Sequence, residues 1–240
     1  MTDLSPSPAR ATVRRPLTPF VDELPVPGRY RVSEPARLDV RIEAAAHRFH
    51  SELPPSPVWS YDGGVPGPMI DVDRGVRLEV AWSNRLEGTL PVTVVRAPMF
   101  ADEDGVPVQC LPGRSGGEAD GAAEGLRGYA VVHLHGGLTS APSDGWAENV
   151  TVPGQQALDL YENDQRAALL WFHDHVMGVT RFTVYSGLAG LYVIRDDRER
   201  ELGLPEGPPF EVPLVLADRN FDTDANGSLT ESCCTRPTPR

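Results

Sequence analysis

The clearest pattern in the chain is an alternation of apolar and polar residues that begins near residue 37. Leu38, Val40 and Ile42 alternate there with charged residues. Because successive side chains of a strand point to opposite faces, this pattern predicts a strand with one buried face. Turn-forming segments rich in Gly and Pro separate it from later apolar runs, which predicts a β-sandwich or barrel. The other predicted strands are Met69–Val72, Val76–Trp82, Val92–Val95, Tyr129–Leu134, Ala167–Phe172, Leu188–Ile194 and Val212–Ala217.

The same pattern divides the chain into four parts. Residues 1–35 are rich in proline and lack periodicity, which predicts an arm on the surface. Residues 36–195 hold most of the predicted strands and form the main domain, while the charged, helix-prone segment 196–211 predicts a connector. Residues 212–240 start with the last predicted strand. Within the main domain, residues 101–125 carry six acidic side chains against one arginine, which predicts a solvated insertion loop.

Composition and charge narrow the classes of function. The chain has 34 acidic and 22 basic residues, and its net charge of −12 excludes general binding to nucleic acid. All basic residues are arginine, which excludes chemistry that needs a lysine, such as Schiff-base formation. No apolar run is long enough for a membrane span or a signal peptide, so we expect a cytoplasmic protein without membrane contact. Three cysteines are too few for a disulfide framework.

The histidines form the most informative motif. Four of the six occur in two pairs with the same spacing, His133-Leu134-His135 and His173-Asp174-His175. Residues i and i+2 of a strand share a face, so each pair projects two imidazole rings from one side of its strand. If the two strands are neighbours, four rings converge. Imidazole nitrogen suits copper, zinc, iron or nickel, so the spacing predicts a transition-metal site.

The sequence around these pairs resembles a known family. HLHGG, SDG and LLWFHDHVMGVTRFTVYSGLAGLYVIRD, with the flanking segments HRFHSELPPSPVWSYDGGVPGPMIDVDRG and FEVPLVLADRNFDTDANGSL, are similar to the first part of multicopper oxidases. The subgroup is that of spore-coat laccases, bilirubin oxidases and phenoxazinone synthases. The resemblance covers about residues 37 to 230. It implies an all-β, cupredoxin-like Greek-key sandwich or barrel, followed by the first strand of a second such domain.

The resemblance also implies roles for individual residues. In this family a blue (type 1) copper and a trinuclear cluster of type 2 and type 3 coppers reduce O₂ to water. By motif position, His133 corresponds to a type 2 ligand, and His135, His173 and His175 correspond to type 3 ligands. Asp144 matches an acid that delivers protons to the cluster. The alternative for Asp144 is a turn former, since Ser-Asp-Gly suits a turn.

The resemblance covers only half of the family's cluster ligands. The HxHxxxH and HCHxxxH motifs that complete the cluster and form the type 1 site are absent from this sequence. A blue-copper site needs a thiolate with two histidines, and Cys110, Cys233 and Cys234 have no such histidines nearby. We therefore expect an oxidase of phenols or aminophenols that uses O₂, with this chain inactive unless the missing C-terminal cupredoxin domains or a partner chain complete it.

Two alternatives remain open. The first is a non-catalytic copper-binding module, or one half of a split or truncated oxidase. The second is a mononuclear metal hydrolase, although such enzymes can carry their ligands in one short HxHxDH run, whereas 38 positions separate His135 from His173.

Other residues near the motifs are predicted to be structural. Strand alternation turns Asp174 away from its flanking histidines, so we expect it to hydrogen-bond a histidine rather than to bind metal. His47 and His50 are predicted not to be ligands. Trp171 and Phe172 are predicted to lie in the core, as are Tyr185 and Tyr192 of the following segment.

Overall fold

The computed structural model describes residues 17–96, 118–205, 207, 209–223 and 229–235. Short strands dominate it, as the Gly- and Pro-rich composition predicts. The strands are β1 (Arg29–Val32), β2 (Ala36–His47), β3 (Ser56–Tyr61), β4 (Met69–Asp73), β5 (Leu78–Asn84), β6 (Thr93–Arg96), β7 (Glu118–Ala119), β8 (Val132–His135), β9 (Gln156–Tyr161), β10 (Ala168–Asp174), β11 (Ala189–Arg195), β12 (Phe221–Thr223) and β13 (Leu229–Thr235). The helices are α1 (Gly121–Glu124), α2 (Thr180–Ser186) and α3 (Asp197–Glu201).

Two sheets enclose the core. One has the order β1-β4-β11-β10-β8, and the other has the order β3-β2-β5-β9. Aromatic rings from both sheets meet between them: Phe172 of β10 lies 5.1 Å from Tyr61 and 5.2 Å from Trp82, measured between ring centroids. All three side chains are buried. This arrangement is the sandwich that the strand pattern predicts.

The alternation near residue 37 lies in β2, where Val40 and Ile42 are buried and Arg41 is exposed. The remaining predicted strands of the main domain correspond to β4, β5, β6, β8, β10 and β11. Strand β9 escapes prediction because its pattern is inverted: Asp159 is buried and Leu158 is 53% exposed. Strand β3 escapes because both of its faces are buried, which removes the alternation.

Strands also occur outside the segment predicted as the main domain. Strand β1 lies within the segment 1–35 and pairs in parallel with β4, so the end of the predicted arm is an edge strand of the first sheet. Residues 212–217 form no strand in the described structure, and Leu216 is exposed. A strand needs a hydrogen-bonding neighbour, and alternation alone does not provide one. Instead, β12 and β13 pair with each other, and β13 joins β6.

Two other predicted segments are only partly described. Residues 101–117 of the predicted acidic loop, including Cys110, lie outside the described residues, and the end of the loop holds β7 and α1. Helix α3 confirms the helix-prone stretch of the connector. Within the described ranges, no helix has the length and hydrophobicity needed to cross a membrane.

Candidate metal centre

The two histidine pairs lie on adjacent strands. Strands β8 and β10 pair antiparallel, and their register places His133 opposite His173 and His135 opposite Trp171. His175 follows the end of β10, and its backbone N–H donates to the carbonyl of Val131, just before β8 (2.8 Å). The predicted convergence of four imidazole rings is therefore realised.

The rings are close enough to share metal ions. The ring centroid of His133 lies 5.1 Å from that of His175, 5.6 Å from that of His173 and 5.7 Å from that of His135. Nδ1 of His135 and Nε2 of His173 are 3.3 Å apart. When two nitrogens bind the same tetrahedral metal ion, each at about 2.0 Å, the nitrogens are about 3.3 Å apart. This pair of nitrogens thus fits a single metal ion.

Backbone carbonyls orient two of the rings. Nδ1 of His133 contacts the carbonyl oxygen of Asp144 at 2.5 Å, and Nδ1 of His173 contacts that of Asp174 at 2.9 Å. Because a carbonyl can only accept, each Nδ1 carries the proton, and each Nε2 keeps its lone pair for a metal. Nδ1 of His175 is buried with no hydrogen-bond partner among the described residues. This unpartnered nitrogen and the neighbouring lone pairs form a donor set suited to copper.

Burial keeps one of these imidazole rings neutral. His173 is 4% exposed, and this burial lowers the pKa of its imidazole to about 4, with a further lowering by the facing rings of His133, His175 and His135. The hydrogen bond to the Asp174 carbonyl opposes the shift only in part. The ring is therefore neutral near pH 7, which is the state that binds metal.

The Asp174 side chain joins two backbone segments next to the histidines. Its side chain is fully buried, and its two carboxylate oxygens accept from the backbone N–H groups of Val131 (2.9 Å) and Val176 (3.3 Å). The carboxylate accepts from backbone N–H groups and has no hydrogen bond to an imidazole ring of the described residues. The expected hydrogen bond to a histidine is made by its backbone carbonyl and not by its carboxylate. The side chain thus ties the start of β8 to the loop after β10.

Asp144 lies beside the site and in a turn. It ends the single 3₁₀ turn Ala141–Ser143 and precedes Gly145, whose φ is +73°. One carboxylate oxygen accepts from the Thr139 hydroxyl at 2.5 Å and lies 3.8 Å from Nδ1 of His133. Both sequence interpretations, an acid near the cluster and a turn former, are compatible with this position.

The histidines outside the two pairs have structural contacts. The ring of His47 packs edge-on against Phe49, with centroids 4.6 Å apart. His50 contacts the Thr18 carbonyl through Nε2 and accepts from the Glu52 N–H through Nδ1.

Among the described residues, no cysteine belongs to a group of side chains that could hold a metal ion. Cys233 is buried, and burial raises the pKa of its thiol; the side chain of Cys234 lies outside the description. Within the described ranges, no three His, Cys, Asp or Glu side chains are arranged around one metal position. Among the described residues, the site therefore offers pairs of candidate ligands rather than a complete set.

Trp171 is the residue that the sequence prediction placed wrongly. Phe172 and Tyr192 are buried as expected, but Trp171 is 36% exposed and stacks on His135 and His173. The physical reason is the period of two: Trp171 precedes His173 by two residues and so shares the histidine face of β10. The same rule, applied to Trp171, would have found this position from the sequence.

Comparison with known proteins points to one family. Residues 125–199 match the multicopper oxidase family model. The chain is 36% identical over 225 residues to a laccase of Bacillus stratosphericus, a match that covers 87% of this chain and 39% of the laccase. It is 31% identical over 231 residues to the bilirubin oxidase of Albifimbria verrucaria, covering 95% of this chain and 33% of that enzyme. The chain thus spans less than half the length of these relatives.

A solved structure supports the fold. The multicopper oxidase of Aquifex aeolicus superimposes with a TM-score of 0.57 at 20% identity, over 87% of this chain and 38% of that one. At this level of identity the likeness concerns the fold alone. It confirms the cupredoxin-like sandwich expected from the sequence.

Proposed function

Because the chain belongs to the multicopper oxidase family, we propose that it supplies part of the copper cluster of a laccase-like oxidase. The observation that carries the proposal is the approach of His135 Nδ1 and His173 Nε2 to 3.3 Å on the shared face of β8 and β10. Bound copper would supply the electron transfer from a phenolic or aminophenolic substrate to O₂.

The four histidines divide between copper types. We assign His133 to the type 2 copper and His135, His173 and His175 to the type 3 pair. Pairs of nitrogens, rather than a complete ligand set, are what one half of a shared cluster would present. The other ligands and the type 1 site would come from further cupredoxin domains or from a partner chain.

The protein's own part is to hold these rings and to move protons. The carbonyls of Asp144 and Asp174 keep the protons of His133 and His173 on Nδ1 and leave Nε2 free. Reduction of O₂ to water consumes four protons. The Asp144 carboxylate, oriented by the Thr139 hydroxyl and 3.8 Å from Nδ1 of His133, would pass them toward the cluster through a bridging water.

Copper binding by the chain tests this proposal. Metal-free protein would be loaded with copper(II), desalted and analysed for bound metal, and its affinity measured by competition with a chelator. We expect the double variant His135→Ala, His173→Ala to lose most of the bound copper. The matched control His47→Ala, His50→Ala should keep it. Equal copper content and affinity in wild type and the His135/His173 variant, with both folded by circular dichroism, would contradict the proposal.

A second candidate is a copper-binding module that has no activity of its own. It is favoured by the incomplete ligand set of the described residues. In this case the purified chain shows no blue-copper absorption band and does not oxidise phenols. Turnover that persists in the His135/His173 double variant would come from adventitious copper. Turnover that the double variant abolishes would instead show that the chain is a complete enzyme.

Two other predictions from the sequence concern a mononuclear hydrolase centre and the location of the protein. A mononuclear hydrolase centre is disfavoured. Such a centre binds one metal ion through three protein ligands, and the described residues contain no group of three His, Cys, Asp or Glu side chains that could hold a metal ion. The cytoplasmic location stays a prediction.

A further inference from the structure

Trp171 covers one side of the candidate centre. Its ring centroid lies 4.1 Å from that of His173, with an angle of 28° between the planes, and 5.2 Å from that of His135, at 27°. These are the distances and angles of offset stacked aromatic rings. One large ring thus lies against both imidazoles whose nitrogens approach to 3.3 Å.

The two stacked histidines differ in what else holds them. His173 is buried, and its Nδ1 is fixed by the carbonyl of Asp174. His135 is exposed, and its only hydrogen bond within the described structure is the one between its Nδ1 and His173. No backbone carbonyl of the described residues therefore fixes the ring of His135, whereas one fixes His133 and another His173.

We propose that Trp171 is a positioning residue for His135. The stacked indole restrains the tilt of the imidazole about χ2 and so holds the ring in the plane in which its Nδ1 faces Nε2 of His173. Trp171 thereby supports the ring of His135 by stacking, whereas backbone carbonyls hold the rings of His133 and His173 by hydrogen bonds. The register explains how this is possible, because Trp171 is directly opposite His135 in the β8–β10 ladder. The link to copper rests on the proposed function, but the orientation of the ring does not.

The test compares the metal-free and copper-loaded protein. In the metal-free chain, long-range ¹H–¹⁵N spectra at one fixed pH report the tautomer of each histidine ring, and NOE contacts report its orientation. In wild type we expect contacts from Trp171 to the His135 ring that fit a single orientation of the ring plane. In Trp171→Leu we expect averaged His135 signals and unchanged His133 signals.

Copper affinity supplies the second readout. Loss of a residue that orients a ligand typically weakens metal binding about 10- to 100-fold. We expect Trp171→Leu to bind copper(II) about 10-fold more weakly than wild type and Trp171→Phe, which keeps an aromatic ring, to retain most of the affinity. Trp146→Leu is the matched control, because Trp146 is also exposed (61%) and makes no described ring contact with the histidines.

The outcomes separate this inference from the proposed function. Unchanged His135 signals in folded Trp171→Leu would overturn the role of Trp171, whether or not copper binds. If Trp171→Leu fails to fold, the same spectra are recorded for Trp171→Phe. Contacts between the Phe ring and His135 would support the positioning role. Averaged His135 signals together with wild-type copper affinity would overturn the positioning role. If wild type binds no copper, the proposed function fails, and the His135 spectra still decide the positioning role.

Discussion

A buried carboxylate on strand β9 allows a quantitative test of the fold. Asp159 of β9 is 6% exposed and points into the core. Burial raises the pKa of its carboxyl group from 3.8 to about 6, and the polar hydrogens of Trp82 and Tyr161 that face it offset this only in part. The Tyr161 hydroxyl donates to it over 3.4 Å, a long hydrogen bond. The folded state therefore holds this proton more tightly than the unfolded state.

The sign of the pH dependence follows from this difference. Below pH 3.8 the group is protonated in both states and contributes nothing. Between pH 3.8 and about 6 the unfolded state releases the proton first, so the free energy of unfolding falls as the pH rises. Above about pH 6 the free energy of unfolding is lowered by the full amount and no longer changes with pH through this group. A pKa difference of about 2.2, at about 1.4 kcal/mol for each pH unit, corresponds to about 3 kcal/mol.

The variant Asp159→Asn removes the ionisation and keeps the shape of the side chain. We expect its free energy of unfolding, relative to wild type, to rise by about 2.5 kcal/mol between pH 4 and pH 7.5. Urea denaturation of both proteins at several pH values, followed by circular dichroism, measures this change. Asp164→Asn is the control, because that side chain is 86% exposed, and we expect its effect to stay within about 0.5 kcal/mol at every pH. A stability difference between Asp159→Asn and wild type that does not vary with pH would refute the reasoning.

Three further predictions concern the histidine site. Asp174→Ala leaves two buried N–H groups without their acceptor, each at a cost of about 1–3 kcal/mol. Urea denaturation should therefore show that the free energy of unfolding falls by at least about 2 kcal/mol. Gly145→Ala puts a Cβ 2.2 Å from the Val132 carbonyl oxygen, and we expect impaired folding and copper binding; Gly75→Ala has a similar φ (+74°) and open space, and should lose only about 1 kcal/mol. In an oxidase that combines this chain with the further cupredoxin domains proposed above, Asp144→Asn should load copper normally but slow reoxidation by O₂ about 10²-fold or more in stopped-flow experiments. An unchanged reoxidation rate would leave Asp144 a turn residue.

Local periodicity accounts for what could be predicted from the sequence. The alternation of Val40 and Ile42 with charged residues predicts a strand, and that strand forms as β2 with the expected face buried. The His-x-His spacing likewise predicts that His133 and His135 share a face, because the period of two is a property of the extended backbone itself. The resemblance in the motifs adds the family, which the comparisons bear out.

Only the tertiary structure decides which strands are neighbours and which contacts follow. Strands β8 and β10 are about 40 residues apart, and their pairing and register bring His133 opposite His173. The same packing turns the carbonyl of Asp144 toward His133 and lays Trp171 on His135. Conversely, residues 212–217 have the pattern of a strand but no neighbour to pair with in the described structure. Periodicity depends on consecutive residues, whereas strand pairing, burial and the orientation of the histidine rings depend on contacts between residues far apart in the chain.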